Sequence, residues 1–275
     1  MRRCFGVFGD PIAHSRSPAM HSAAFAALGL DHAYLPFRVE AAVLERALRG
    51  AAALGFGGVN LTVPHKRAAL AIVDALSDAA ARIGAVNTII FMGDGRMLGD
   101  NTDSPGFAAA LSELPGARPR RAVVLGGGGA SRAVVDALLH EVGVDELAWV
   151  SRDPSRLRWE GAGAERLRRS DYGAIAARLD AELLVNCTTI GMHGGPADFP
   201  IALPLDTMEG EARVIDIVYP RPSGGLLDRA EALGAAVQDG LPMLLWQGVR
   251  ALERWLEREL PADAVAAMRA AITGS

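Results

Sequence analysis

Lys66 is the side chain in this sequence with the clearest capacity for acid–base chemistry. It is the only lysine of the chain, and the other 27 of the 28 basic residues are arginine. Arginine stays protonated in proteins, whereas lysine can give up a proton and take it back. A carboxylate such as that of Asp103 could hold the Lys66 ammonium in place. We therefore expect Lys66 to exchange a proton with a bound small molecule.

Three polar loops, at 14–18, 60–66 and 101–105, each run into a helix that a proline could begin, at Pro18, Pro64 and Pro105. Proline is tolerated at the first helical position, so each loop predicts a helix N-terminus, and Lys66 would lie in the first turn of its helix. In a parallel sheet such loops follow the carboxyl ends of strands, so all three should gather on one rim. Ser17 and Ser104 could simply be N-caps, whereas Ser15 and Asn60 lie too early for that role.

A glycine-rich loop follows a short apolar strand and opens a helix. Gly126 and Gly128 match the first two glycines of the dinucleotide-binding pattern G-x-G-x-x-G, and the small Ser131 occupies the third place. Glycines at these positions let the backbone approach a pyrophosphate bound at the helix N-terminus. This loop predicts a dinucleotide cofactor.

The residues after the next strand bear on which dinucleotide is bound. Arg152 follows that strand directly and Arg156 lies one helical turn further on, and two guanidinium groups suit the 2′-phosphate of NADP. Asp153 would repel that phosphate unless it points away. We predict NADP, with NAD as the alternative.

The order of apolar segments predicts an α/β fold with two domains. Strand-like runs at 5–8, 33–39, 58–63 and 86–92 alternate with helical patterns at 18–28, 42–54 and 64–76. A second unit has strands at 122–125, 147–150, 183–186, 214–218 and 235–238, and a last helix at 242–259 should pack back on the first domain. We expect a mostly parallel α/β substrate-binding and catalytic domain at 1–103 plus 240–275. A Rossmann-type, doubly wound NADP-binding domain should occupy 104–239, with the active site in the cleft between them.

Composition excludes several classes of function. The net charge is −4 without a basic tract, which argues against a nucleic-acid partner. No apolar run approaches the roughly 20 residues of a membrane span, and we see no secretory signal, so no membrane association is expected. Cys4 and Cys187 are the only cysteines, which predicts a reducing cytoplasm and no zinc cluster. His14, His21 and His65 lack a metal-binding pattern and are interpreted as loop or helix-surface residues.

Seven motifs in order resemble those of the shikimate dehydrogenase family, over nearly the whole chain. They are Ser15-Arg16-Ser17-Pro18; Asn60, Thr62, Pro64 and Lys66; Gly84 to Thr88; Asn101 to Asp103 with Gly106; Gly126 to Ala130 with Arg152; Asp216 to Pro220; and Gly240 to Gln247. The resemblance implies reversible reduction of 3-dehydroshikimate to shikimate by NADPH, in a monomer or homodimer, without a metal.

The resemblance also implies roles for individual residues. Lys66 and Asp103 would form the catalytic pair. The substrate would be held by Ser15, Ser17, Asn60, Thr62, Asn87, Tyr219 and Gln247, with Asp103. The cofactor would be held by Gly126, Gly128, Gly129, Ala130, Ser151, Arg152, Arg156, Thr188, Gly240 and Met243.

Two departures from the family pattern keep alternatives open. The usual Asn-Arg-Thr of the cofactor motif reads Ser151-Arg152-Asp153, and the loop after Tyr219 lacks the more usual threonine-proline. The first alternative is a quinate or quinate/shikimate dehydrogenase that prefers NAD, favoured by Asp153. The second is a non-catalytic metabolite sensor, which the intact Lys66 and Asp103 argue against.

Overall fold

A computed structural model describes residues 2–159, 161–192 and 194–274, which form two compact α/β units. Unit 1 comprises residues 1–106 and 244–275, and unit 2 comprises residues 107–243. We expected the divisions after residues 103 and 239, a few residues earlier in each case. The cleft expected between the domains stays a prediction.

The structure has twelve strands and eight α-helices among the described residues. The strands are β1 (Cys4–Gly9), β2 (Ala33–Arg38), β3 (Gly58–Leu61), β4 (Ala75–Leu76), β5 (Thr88–Phe91), β6 (Met97–Asp100), β7 (Arg121–Leu125), β8 (Glu146–Val150), β9 (Leu167–Ser170), β10 (Leu183–Asn186), β11 (Arg213–Asp216) and β12 (Ala236–Gln238). The α-helices are α1 (Ser17–Ala27), α2 (Leu44–Ala53), α3 (Asp78–Ile83), α4 (Asp103–Leu111), α5 (Gly129–Asp136), α6 (Leu226–Ala232), α7 (Leu241–Leu256) and α8 (Ala262–Thr273).

The sheet of unit 1 has the strand order β2-β1-β3-β5-β6-β4. Strand β1 is parallel to β2 and β3, while β5 runs antiparallel to both β3 and β6. Two successive reversals leave β6 parallel to β3, so the carboxyl ends of β1, β3 and β6 meet at one edge together with the start of β5. The sheet is thus mostly parallel, and its topology brings the three polar loops to one edge.

The sheet of unit 2 is parallel throughout, with the order β12-β11-β10-β7-β8-β9. Every residue of β10 and β11 is buried, as expected for strands covered on both faces. The glycine loop after β7 leads into α5. This is the doubly wound arrangement expected from the sequence.

The end of α7 is anchored in unit 1 by Trp255. Its indole Nε1 donates to the carbonyl of Ile89 at 3.0 Å, and a Cβ placed on Gly58 would lie 2.1 Å from that nitrogen. In the same unit, a Cβ on Gly106 of α4 would lie 2.6 Å from the backbone nitrogen of Gln247 in α7. Glycine at 58 and 106 therefore permits the close packing that positions α7 and Gln247.

The structure corrects the helix that we predicted at 64–76. Residues 63–67 form hydrogen-bonded turns and Ala68–Ala71 a 3₁₀ helix, so Lys66 does not lie in the first turn of an α-helix. The reason is pairing with β6, because the backbone N–H groups of Asp74 and Ser77 donate to the carbonyls of Met97 and Gly99. A helix over 64–76 would have to give up these bonds.

Two histidines are also placed differently from our interpretation. Of the three histidines interpreted above, His21 and His65 are fully buried rather than on a surface, and His14 is exposed. The His21 ring stacks on Tyr34 with 4.1 Å between ring centroids, and burial lowers the pKa of His21 to about 3. No helix within the described residues is long and apolar enough to span a membrane.

Candidate active site

Lys66 and Asp103 meet at the edge of the unit 1 sheet. Lys66 Nζ donates to Asp103 Oδ2 at 2.6 Å, and their side chains are 18% and 5% exposed. The Lys66 carbonyl accepts a hydrogen bond from the N–H of Val86 at 2.7 Å, which fixes the lysine's backbone beside the segment leading into β5. Asp103 is the first residue of α4, where an anionic side chain is favoured by the helix dipole.

Asn87 holds the other oxygen of the Asp103 carboxylate. Asn87 Nδ2 donates to Asp103 Oδ1 at 2.7 Å and to Thr102 Oγ1 at 3.1 Å. Its Oδ1 accepts from the N–H of Thr102 at 2.8 Å and from Thr88 Oγ1 at 2.9 Å. An amide nitrogen has two hydrogens to donate, so the Asn87 donors are fully used. Asn87 therefore fixes the orientation of the Asp103 carboxylate.

Asn60 is tied to Asn87 and to a tyrosine that the sequence reasoning missed. Asn60 Nδ2 donates to the Asn87 carbonyl at 3.2 Å and to Thr88 Oγ1 at 3.1 Å, and Asn60 Oδ1 accepts from the Tyr34 hydroxyl at 2.7 Å. Tyr34 is also hydrogen-bonded to the side chain of Ser17. Burial raises the pKa of Tyr34 well above its usual value, and the bond from Ser17 opposes that shift.

These contacts form one chain of hydrogen bonds, which we call the catalytic network. It runs from Ser17 through Tyr34, Asn60, Thr88, Asn87 and Asp103 to Lys66. The strand register explains the proximity of its central members, because Asn60 lies between Val7 of β1 and Thr88 of β5. In the sequence, Tyr34 is recognisable only as a residue with a hydroxyl group within a predicted strand. Its partner Asn60 lies 26 residues away, so local spacing does not reveal the bond.

The alternative that Ser17 and Ser104 serve only as helix N-caps is wrong. Helix α1 begins at Ser17 itself, its N-cap position is Arg16, and no side chain caps it. Ser104 is already the second residue of α4. Ser15 is partly buried, and its Oγ accepts from the N–H of Ser17 at 3.3 Å.

The remaining predicted substrate residues fall in both units. In unit 1, Thr62 is partly buried in the turn after β3, and its carbonyl accepts from the N–H of His65 at 2.8 Å. Gln247 is 9% exposed, and its Nε2 donates to the Leu244 carbonyl at 2.8 Å, which leaves the amide oxygen for another partner. Tyr219 belongs to unit 2, after β11, and is partly buried.

The glycine loop of unit 2 is shaped for a ligand. Gly126 has a φ of +116°, and a Cβ there would lie 2.9 Å from the Cys187 carbonyl oxygen, so only glycine fits. Buried Trp149 donates from Nε1 to the Gly126 carbonyl at 2.7 Å and steadies the loop. Gly128 is exposed, a Cβ there would meet nothing within 4 Å, and no side chain caps α5. The N–H groups of Gly129 and Ala130 are thus at an uncapped helix start.

Asp153 is occupied within its own turn. Its Oδ1 accepts from the backbone N–H of Ser155 at 3.2 Å and from Ser155 Oγ at 2.6 Å, and it begins the 3₁₀ turn Pro154–Arg156. Arg152 and Arg156 are exposed and form no ion pair with any carboxylate in the described ranges. The departure at position 153 therefore has a structural role, because Asp153 builds the turn that carries Arg156.

Ser151 directly follows β8, and its hydroxyl also indicates a ligand at the carboxyl edge of the unit 2 sheet. It is 9% exposed, and its Oγ has no hydrogen-bond partner within the part of the chain that the structure describes. A buried hydroxyl without a partner costs free energy, which a bound cofactor could recover. The free Ser151 hydroxyl, the open glycine cradle and the two unpaired arginines together fit a phosphate-bearing dinucleotide.

The remaining predicted cofactor residues differ in their contacts. They are Thr188, Gly240 and Met243. Thr188 turns back on Asn186, donating from Oγ1 to Asn186 Oδ1 at 2.7 Å. Gly240 is required by packing, because a Cβ there would lie 2.0 Å from the Ile217 carbonyl oxygen. Met243 is buried at the start of α7.

Asp216 and Asn186 are buried polar residues to which we assigned no function from the sequence. Asn186 Nδ2 donates to Asp216 Oδ1 at 2.9 Å, and the N–H of Val218 donates to the same oxygen at 3.1 Å. Burial raises the pKa of Asp216 to about 6, and the charge of Asp239 adds to that shift. They end neighbouring strands β10 and β11, at the edge where the glycine loop also begins. Within the described residues, no group of three histidine, cysteine or acidic side chains is arranged to hold a metal ion.

Two family models and a curated relative match this chain. Residues 7–89 match the family model of the shikimate dehydrogenase substrate binding domain, and residues 240–273 match that of the shikimate 5′-dehydrogenase C-terminal domain. The chain is 47% identical to the shikimate dehydrogenase (NADP(+)) of Rhodospirillum rubrum, over 99% of this chain and 97% of that protein.

Two solved structures are similar to this chain over nearly its whole length. The crystal structure of shikimate 5-dehydrogenase from Thermus thermophilus in complex with NADP(H) and shikimate is 40% identical, with a TM-score of 0.81 over 98% of this chain and 99% of that chain. The ligand-free 5-ketofructose reductase of Gluconobacter sp. strain CHM43 is 31% identical, with a TM-score of 0.83 over 100% of this chain and 99% of that chain.

Proposed function

The chain belongs to the shikimate dehydrogenase family, and on this premise we propose that it catalyses the reversible NADP-dependent reduction of 3-dehydroshikimate to shikimate. The observation that carries the proposal is the Lys66–Asp103 pair, with its nitrogen and oxygen 2.6 Å apart, hydrogen-bonded through Asn87 at the edge of the unit 1 sheet. An intact acid–base pair supports an enzyme rather than a silent sensor.

We propose that Lys66 handles the proton of the reaction. When bound, NADPH supplies the hydride that reduces the ketone carbon. As that carbon is reduced, negative charge builds on the ketone oxygen, and the Lys66 ammonium stabilises it and donates a proton to that oxygen. In the opposite direction, neutral Lys66 takes the proton from the substrate hydroxyl. Asp103 holds Lys66 in the required position.

The hydrogen bonds already made by the network limit what each residue can offer the substrate. Asn60 uses both N–H groups, so it can only accept from a substrate hydroxyl, through the remaining lone pair of Oδ1. Asn87 has no free N–H and is better described as a positioning residue for Asp103. We propose that Ser15, Ser17 and Thr62 supply hydroxyl groups to the substrate, and that Tyr219 and Gln247 complete the set.

We propose that different residues at the carboxyl edge of the unit 2 sheet bind different parts of the cofactor. Gly126, Gly128, Gly129 and Ala130 would receive the pyrophosphate at the start of α5. Arg152 and Arg156 would bind the 2′-phosphate, with Ser151 donating its free hydroxyl. Thr188, Gly240 and Met243 would border the rest of the cofactor.

We also propose a cytoplasmic location and a monomer or homodimer. The location is supported by Cys4 and Cys187, which are both free thiols. Light scattering after gel filtration would measure the oligomeric state.

The test of the proposed function is a set of initial rates with shikimate or quinate as substrate and NADP or NAD as cofactor. We expect fast turnover only with shikimate and NADP. A preference for quinate or NAD would overturn the substrate or cofactor assignment, and the absence of turnover with all four pairs would favour the sensor. Adding 5-ketofructose with NADPH as a further pair tests whether the likeness to the Gluconobacter enzyme extends to its substrate.

A further inference from the structure

A cavity of about 500 Å³ lies at the amino-terminal edge of the unit 2 sheet. Arg213 and Ala236, the first residues of β11 and β12, both line it. Asp216 ends β11 and the glycine loop follows β7, both at the opposite, carboxyl edge of this parallel sheet, so the cavity is separate from the proposed cofactor site. Its volume is within the range of roughly 300–1,000 Å³ that is usual for small-molecule sites.

Arg213 is buried in the wall of this cavity and forms no ion pair within the described residues. The residue is 4% exposed, and its Nε has no hydrogen-bond partner among the described residues. No carboxylate in the described ranges lies within ion-pair distance of it. Burial lowers the pKa of the Arg213 guanidinium, and the charges of Glu211 and Glu182 oppose that shift without cancelling it. A buried, unpaired guanidinium is costly, and a bound carboxylate would offset that cost.

A carboxylate of the protein lies close to Arg213 without reaching it. Both groups lie beside Gly116: a Cβ there would lie 2.8 Å from Glu211 Oε2 and 3.7 Å from Arg213 Cζ. Gly116 has a φ of +113°, so its conformation also disfavours any side chain. Opposite charges thus flank one small space, and the exposed carboxylate of Asp206 lies elsewhere in the lining.

The other residues of the lining are apolar or glycine. They include Leu205, Met208, Val214, Ala230 and Leu233. A simple anion would be repelled by Glu211 and Asp206, and a simple cation would be repelled by Arg213. A molecule with adjacent positive and negative charges and an apolar remainder would match the Arg213 guanidinium, the acidic side chains and the apolar lining.

We propose that this cavity binds an α-amino acid with an apolar side chain. Its carboxylate pairs with the Arg213 guanidinium, its ammonium faces Glu211, and its side chain packs against the apolar lining. This site does not depend on the proposed dehydrogenase activity, because none of its residues belongs to the catalytic network or to the glycine loop.

The experiment is isothermal titration calorimetry of the full chain, without substrate or NADP, using L-leucine and L-phenylalanine. For each amino acid, the methyl ester and the deaminated acid serve as matched ligands that lack one charge. Arg213→Met removes the buried charge at similar size, and Glu211→Gln removes the charge facing the ammonium. Arg168→Met, at an exposed arginine of β9, is the control variant.

We expect at least one amino acid to bind, and its ester and deaminated forms to bind about tenfold more weakly or not at all. Arg213→Met should abolish binding, Glu211→Gln should weaken it about tenfold, and Arg168→Met should leave it unchanged. Glu211 is exposed, so its variant keeps the test valid if Arg213→Met fails to fold.

Three results would overturn the proposal. They are no binding of either amino acid below about 1 mM, equal binding by folded Arg213→Met protein, and equal binding of the deaminated acid. None of these results bears on turnover with shikimate, so the two proposals fail separately.

Discussion

The catalytic network of unit 1 and the glycine-loop edge of unit 2 differ in how far their polar groups are already bonded within the protein. In the network, Asn87 uses both hydrogens of its side-chain amide in bonds within the protein, and Asp103 has a partner on each carboxylate oxygen. At the glycine loop, Ser151 Oγ has no partner in the described residues, and Arg152 and Arg156 form no ion pair there. Groups that guide a proton must be fixed before the substrate arrives, whereas groups that hold a cofactor must keep bonding capacity free.

Replacement of Lys66 should give the largest effect, because it removes the group that all the network's contacts position. We expect Lys66→Ala to lower kcat about 10³-fold, with a much smaller change in KM for shikimate, because the lysine acts mainly in the transition state. Steady-state kinetics measure both constants.

Arg67→Ala changes the neighbouring exposed residue and is the matched control. Lys66→Arg keeps the positive charge but cannot exchange a proton readily, so it should remain nearly as inactive as the alanine variant. Unchanged kcat in Lys66→Ala would refute the assigned role, even for a true shikimate dehydrogenase.

Asp216 is a test at the glycine-loop edge of unit 2, because none of the described residues pairs its buried carboxylate with a cation as Lys66 is paired with Asp103. Its pKa is raised from 3.8 to about 6, so the unfolded chain releases this proton at lower pH than the folded protein does. The contribution to stability is therefore fully present below pH 3.8 and is lost as pH rises toward 6. The loss amounts to about 3 kcal/mol at most.

Asp216→Asn should remove this pH dependence. Asn can still accept from Asn186 and Val218 through its amide oxygen, so we expect it to be more stable than the parent protein near neutral pH and similar to it at about pH 4. Urea unfolding at both pH values measures the difference, with the exposed Asp198→Asn as control. An equal stability difference at the two pH values would show that Asp216 is not the titrating group.

Arg152 tests whether the unpaired guanidinium groups are kept for the 2′-phosphate. Loss of one charged hydrogen-bonding partner should raise KM for NADP by about ten- to a hundredfold in Arg152→Ala, with little change for NAD. Arg158→Ala, at an exposed arginine two residues beyond Arg156, is the control. Equal losses with NADP and NAD would show that Arg152 supports the loop and does not read the phosphate.

The two regions also differ in how far the sequence predicted them. The glycine loop could be recognised because its glycines, its strand and its helix are neighbours in the sequence, as are Arg152 and Arg156. The network could not, because Tyr34 and Asn60 are joined across strands whose register follows from the whole sheet. The helix predicted at 64–76 is wrong for the same reason, since pairing of residues 74–77 with β6 overrides the local pattern.

Tyr34 gives the smallest expected effect and the sharpest test of the network itself. Tyr34→Phe keeps the ring stacked on His21 but removes the hydroxyl that donates to Asn60 Oδ1. One neutral hydrogen bond contributes about 1 kcal/mol, so we expect KM for shikimate to rise about fivefold while kcat stays nearly constant. Tyr172→Phe, a buried tyrosine of unit 2, controls for a general loss of stability. A fall in kcat as large as the rise in KM would mean that the hydroxyl also positions Lys66 and Asp103. No change in either constant would mean that Asn60 is oriented by its bonds to Asn87 and Thr88 alone.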